Sequence, residues 1–336
     1  MYKSTVVKNL FEGIFTCDVL KEGLLLESGN QNELFHLARE KRKLAFPDNK
    51  VEIRSVIEVS NICMQKCRYC SIGGKKTIPD YSLDKNTLLI LIETLYKKGR
   101  RVILLQSGEN NTDEFVELIS NCIELTKTKF LDLEFILCLG NMTEEQYKML
   151  FNAGAGSYIL KFETSNVNIY NYCKPNDTFK NRMHCIKVLF EIGFQVGSGN
   201  IIGLPGQTID DIVNDLLLLH MYPFAMNSST AFIPAENSEF EDKPHGSINL
   251  TLNTMALLRI MNPYRLMPTT NSLEKVQKGG QLRGLLAGAN TVTVHDGTPE
   301  ELRPFFPIYS THRITPQFEY FKKILSLANL NYDEPL

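Results

Sequence analysis

The chain of 336 residues has no tryptophan, no cysteine beyond Cys185, and no run of 18 consecutive apolar residues. The last absence excludes an ordinary membrane-spanning helix. The opening residues MYKSTVVKNLFEGIF also lack the apolar run of a signal peptide. The expectation is a soluble cytoplasmic protein with no membrane partner. An excess of basic charge is missing as well. Lys and Arg number 36 against 38 Asp and Glu, a net charge of −2, so nucleic acid is not an expected partner. Phosphate-binding signatures are absent, with no G-x4-G-K-[ST] and no G-x-G-x-x-G opening a helix. There is no low-complexity tract and no evident linker, which leaves one domain with ample apolar content, 43% of residues, for a large core.

Cysteine is present, and its distribution is uneven. In a reducing compartment the eight cysteines do not form a disulfide framework. Cys17, Cys122, Cys138, Cys173 and Cys185 are scattered and read as free thiols in the core. Cys63, Cys67 and Cys70 are different: in SNICMQKCRYCSIGG they are spaced C-x3-C-x2-C. A closed structural metal site wants four ligands, and three leave one position open for something that reacts. A zinc ion completed by a distant His or Cys is the competing reading.

From residue 54 onward strand-like and helical stretches alternate. The strands fall at 54–60, 101–107, 133–139, 157–163, 194–203, 225–233, 264–270 and 288–294, with amphipathic helices such as LDKNTLLILIETLYKKG between them. Such alternation builds a parallel sheet, and eight units predict an α/β fold of the (β/α)8 TIM-barrel type. The alternative is a doubly wound open sheet. Residues 1–50 read as a helical extension in which Leu34, Leu37 and Ala38 share a face; 51–320 form the barrel and 321–336 a C-terminal helix or tail. Barrel chemistry sits at the C-terminal ends of the strands, and the cysteine triplet follows the first strand directly.

Three cysteines on one loop suit a 4Fe–4S cluster with one iron left over. The spacing, with Tyr69 just before the last cysteine, resembles the radical S-adenosylmethionine (SAM) family. The resemblance implies that the open iron binds SAM, whose reductive cleavage yields a 5′-deoxyadenosyl radical that abstracts hydrogen. It also implies a one-electron donor such as ferredoxin or flavodoxin. The turn Ser107-Gly108-Glu109 after the second strand matches the family's loop for the SAM amino group. In YILKFETSN, Lys161 and Glu163 should share one face, and such charges inside a barrel need a partner or a ligand. Glu163 is assigned to the SAM ribose or amine, Lys161 to substrate, and Arg182 of FKNR to the SAM carboxylate. Ile201 and Ile202 of GNIIGLPGQT are apolar enough to pack an adenine.

Taken in order, IRSVIEVSNICMQKCRYCSI, VILLQSGE, YILKFETSN, GNIIGLPGQTIDDIVNDLLLL, MPTTNSLEKVQKGGQLRGLLAGANTVTV and TPEELRPFFPIYS resemble the biotin-synthase branch of that family. Within it the chain is most similar to hydrogenase maturases of the HydE type and to methylornithine synthases. The resemblance implies a substrate chamber lined by Arg54, Gln106, Lys161, Thr269, Thr270 and Tyr309, suited to a polar and anionic amino-acid-like molecule or a metal-bound precursor. A lipoyl- or biotin-type carbon–sulfur synthase is the second reading, and a non-catalytic cluster-binding protein the third. Biotin synthases hold a second cluster on three further cysteines. The matching positions here are Leu104, Ile136 and Gly197, so a single cluster is expected.

Overall fold

The computed structural model describes residues 2–73, 78–310 and 317–333. Seven strands, β1 (Glu52–Ser60), β2 (Val102–Ser107), β3 (Glu134–Cys138), β4 (Ser157–Ile159), β5 (Gln195–Ile202), β6 (Met226–Ala231) and β7 (Thr291–Val294), form one parallel sheet in the order β6-β5-β4-β3-β2-β1-β7. Helices return the chain between strands and cover the outer face. Strand β1 is buried from Arg54 to Ser60, as a strand covered on both faces must be. Its inward residues stack with those of the next strands, so Val56, Leu104 and Ile136 make a small apolar plug inside the curl. The larger core lies outside the sheet, against the helices.

The strand expected at 264–270 does not form. That segment makes two isolated bridges, Leu266 to Met226 of β6 and Pro268 to Thr291 of β7. Pro268 has no N–H to give to a ladder, which stops pairing after a residue or two. The few bonds are well placed. Asn227 N–H donates to the Leu266 carbonyl and Thr269 N–H to the Thr291 carbonyl, so the segment touches both edges of the sheet. The architecture is a curled seven-stranded half-barrel, one strand short of the expected eight. Strand β4 is also shorter than expected, ending at Ile159, and the chain turns into the left-handed region at Glu163, φ 64°.

The first 45 residues form three helices, Thr5–Phe11, Cys17–Leu24 and Ser28–Ala45. Leu34, Leu37 and Ala38 are buried together on the core. Buried polar bonds reinforce that packing. Gln31 Nε2 donates to Asn253 Oδ1 at 2.9 Å, and Arg42 donates to the carbonyls of Leu285 and Ala289 at 2.7 and 2.8 Å. All eight cysteines are free thiols, and among the described residues no helix is long and apolar enough to cross a membrane.

Candidate active site

Cys63, Cys67 and Cys70 lie on the loop that leaves β1, and backbone bonds from three directions shape it. Met64 N–H donates to the Glu109 carbonyl at 2.9 Å, Arg68 N–H to the Cys173 carbonyl at 2.9 Å, and Phe240 N–H to the Arg68 carbonyl at 3.0 Å. Gly108, after β2, passes so close that a Cβ there would meet the Ile62 carbonyl oxygen at 2.3 Å and Cys63 Cβ at 2.8 Å. That approach lets Glu109 N–H donate to Cys63 Sγ at 3.3 Å. Burial pushes the Cys63 thiol up, and burial with the nearby Cys67 pushes Cys70 up to about 12. As free thiols these groups keep their protons, and bound iron is what would turn them into thiolates. Three thiols on one short loop suit a 4Fe–4S cluster, which takes one thiolate on each of three irons. The donor set fits the cluster.

Behind the loop sits a buried ionic group. Glu109 Oε1 accepts from Gln65 Nε2 at 2.6 Å and its Oε2 from Arg182 Nη2 at 3.1 Å. Arg182, 3% exposed, also donates through Nε to the Tyr170 hydroxyl at 2.9 Å and pairs with Asp177 at 3.2 Å. Desolvation opposes the Asp177 charge, but Arg182, the hydrogen bonds from Tyr170 and Asn181, and Lys174 together hold the carboxyl below its ordinary range. Gly140 leaves the space Glu109 occupies, since a Cβ there would come within 2.1 Å of its side chain.

Glu163 and Lys161 form an ion pair at 3.0 Å, and Lys161 Nζ also reaches Thr230 Oγ1 at 3.4 Å. Burial would raise the Glu163 carboxyl, but Lys161, then Lys174 and Arg182, hold it low. Tyr69, its hydroxyl kept protonated chiefly by burial, stands 3.5 Å from Glu163. The left-handed turn at Glu163 is a strained place for a residue with a side chain. It is locked from both sides. Glu163 N–H donates to the Gly199 carbonyl and Ile201 N–H to the Glu163 carbonyl. Asp215, fully buried, then accepts from Ser165 N–H and Oγ–H at 2.6 Å each and from Asn200 Nδ2 at 3.0 Å. Burial pushes the Asp215 carboxyl up to about 7, against the pull of those donors. The folded chain holds this proton more tightly than the unfolded one. The group's stabilising contribution is therefore full below about pH 4 and is lost as pH rises through about 7. Asp215→Asn is expected to flatten that decline in urea unfolding measured between about pH 5 and 8, and an unchanged slope would refute the assignment. Asp215→Ala, which orphans the Ser165 and Asn200 donors, should cost about 2–3 kcal/mol.

A chamber of about 350 Å³ opens beside these groups at the C-terminal ends of the strands. It brings together Tyr69, Cys70, Gln106, Lys161, Glu163, Ile201, Thr269, Thr270 and Tyr309, all named from sequence. Lys161 and Glu163 do share its wall, although β4 has already ended. Ser107, Gly108, Glu109 and Arg182 are not in its lining; they stand behind the cysteine loop. Two expectations are corrected. Ile202 faces the outer core, because alternation along β5 sends only Ile201 inward. Arg54, 1% exposed, lies below the chamber near the start of β1, pairing with Glu52 and donating to Met226 Sδ, so it does not line the chamber. Sequence reasoning missed Asn271, Lys275, Thr293 and His295, which also line it. His295 is the first residue after β7, and its place at a strand end was the available signal. Leu104 and Ile136 stay apolar inside the curl, and at Gly197 a Cβ would touch Met226 at 3.0 Å.

The profile of the Radical SAM superfamily matches residues 57–219. The chain is 33% identical over 306 residues to the [FeFe] hydrogenase maturase subunit HydE of Thermotoga maritima, covering 90% of this chain and 86% of that protein. It is 28% identical to the 3-methylornithine synthase of Methanosarcina acetivorans, over 82% of this chain and 78% of the relative. The crystal structure of methylornithine synthase (PylB) superposes with a TM-score of 0.80 at 23% identity, covering 97% of this chain and 95% of that one, which supports the fold.

Proposed function

The chain belongs to the radical SAM superfamily of enzymes, and we propose that it cleaves S-adenosylmethionine reductively and draws a hydrogen atom from a small amino-acid-like molecule held in the chamber. The observation that carries this reading is the single chamber that has Cys70 and Tyr69 on one side and Lys161, Glu163, Thr269, Thr270 and Tyr309 around the rest. Cys63, Cys67 and Cys70 would hold one 4Fe–4S cluster, which with SAM bound beside it would supply the electron for the reductive cleavage. The protein's own residues orient and enclose. Glu109 and Arg182, paired at 3.1 Å behind the cysteine loop, would have to part to meet the ammonium and carboxylate of the methionine part of SAM. Glu163 accepts from the ribose hydroxyls or the amine, and Ile201 packs the adenine. A ferredoxin or flavodoxin fits the need for a one-electron donor.

Mixed charge in the chamber suits an amino-acid derivative or a metal-bound precursor better than an uncharged substrate, as in the HydE-type and methylornithine-type readings. Sulfur insertion with a sacrificial second cluster is not supported, because Leu104, Ile136 and Gly197 offer no thiolate. Cys138 lines the chamber, but burial raises its thiol to about 11 and one thiol cannot hold a cluster. The test is reconstitution without oxygen, followed by dithionite reduction and assay for 5′-deoxyadenosine. Glu163→Gln should bind SAM about tenfold more weakly with its iron content unchanged, the loss of one hydrogen bond to a charged group. Cluster-loaded protein that binds no SAM in calorimetry would overturn the proposal.

A further inference from the structure

His295 is 6% exposed and lines the chamber, and a chain of hydrogen bonds determines where its proton lies. Gln281 Nε2 lies 3.2 Å from the Thr269 carbonyl oxygen and 3.0 Å from Asn271 Oδ1. A backbone carbonyl only accepts, so the amide of Gln281 must present its NH2 there, and Asn271 must turn its oxygen towards it. The Asn271 NH2 then faces His295 Nε2, at 2.8 Å. An amide NH2 only donates, so Nε2 carries a lone pair and no hydrogen. The imidazole proton sits on Nδ1, which faces Glu58 Oε1 at 3.2 Å. A carboxylate that accepts from one ring nitrogen commonly sets which tautomer the other nitrogen presents. Here that nitrogen is an acceptor, held by Asn271, which also lines the chamber.

Other acceptors stand close by. Thr293 precedes His295 by two residues on β7 and lines the chamber with it. Gln106, on the neighbouring strand β2, pairs in register with Glu58 of β1 and also lines the chamber. The wall made by β7, β1 and β2 thus carries uncharged side chains, Thr293 and Gln106, that are able to accept hydrogen bonds. Of the lining cations, Lys161 lies away from this wall beyond β4, and Lys275 stands one helical turn after Asn271.

We propose that His295 is the binding residue for a protonated amine of the substrate. One ammonium N–H donates to Nε2 as Asn271 yields its place, the oxygens of Thr293 and Gln106 take the remaining hydrogens, and the substrate's carboxylate lies towards Lys161 and Lys275. This deepens the amino-acid-like reading above and rests on it. Glu58 keeps Nε2 an acceptor, and charge-assisted bonds of this kind are the stronger class.

The test uses cluster-loaded enzyme with SAM bound, in calorimetry free of oxygen, and three probes: L-norleucine, norleucinamide and N-acetyl-L-norleucine. SAM binding is measured first in the same sample; its failure would remove the superfamily-level chemistry rather than the role of His295 alone. His295→Phe should weaken norleucine and norleucinamide about tenfold and leave the N-acetyl compound, which has no ammonium, unchanged. His295→Gln keeps an acceptor oxygen and should retain affinity for the amines to within about threefold. Equal loss for all three probes in the Phe variant would mark a merely structural residue and overturn the proposal. So would SAM-loaded wild type that binds none of the probes, or that binds the N-acetyl compound as tightly as norleucine.

Discussion

Replacing any one of Cys63, Cys67 or Cys70 by alanine is expected to abolish both bound iron and SAM cleavage, while Cys122→Ala keeps both. The wild type should carry about four irons and four sulfides per chain, one cluster. Each of the three thiols is a separate anchor on one short loop, and two anchors leave a cluster with two open irons. Cys122 is the control because it has nothing to do with that loop. It is fully buried on the helix Asp113–Lys129, its thiol near the Lys85 carbonyl, and its removal should cost about 1 kcal/mol of packing. Iron and sulfide assays on reconstituted protein, with 5′-deoxyadenosine as the activity readout, decide the matter. Two clusters per chain, or a colourless zinc protein, would contradict the single-cluster reading.

The second large effect is expected at Arg182. Its guanidinium is shared by Glu109, Asp177 and the Tyr170 hydroxyl in a place where none of them reaches much solvent. Removing one partner of a buried ionic group strands the others, and Arg182→Met should destabilise the fold by about 3–5 kcal/mol. The consequence is also local. Glu109 is anchored by Arg182 on one side and gives its N–H to Cys63 Sγ and its carbonyl to Met64 on the other. A stranded Glu109 side chain moves that backbone, so the variant should reconstitute with less iron as well as melt several degrees lower. Arg182→Lys keeps the charge but loses the fork of donors, and should recover part of the stability and little SAM affinity. Melting curves with and without SAM separate the effects. A variant that melts as the wild type does and binds a full cluster would show that the ionic group braces nothing.

What the sequence determined by itself was the part written in local spacing. The cysteine triplet can be read because one short loop carries all three ligands. The βα rhythm can be read because each strand and helix shows its own periodicity, and strand ends mark where the site lies; Tyr69, Gln106, Lys161, Glu163, Ile201, Thr269, Thr270 and Tyr309, each a candidate from sequence, line one chamber. Tertiary structure decided the rest. Whether 264–270 became a strand depended on how far Pro268 lets it pair with two edges at once, and it did not. Arg54 has the chemistry of a substrate anchor, yet Glu52 and the Met226 sulfur claim it below the chamber. His295 meets Glu58 across 237 residues of chain, and the tautomer it presents depends on amides at 271 and 281. No periodicity records such contacts, because they exist only once the sheet has curled and brought the ends of β7, β1 and β2 side by side.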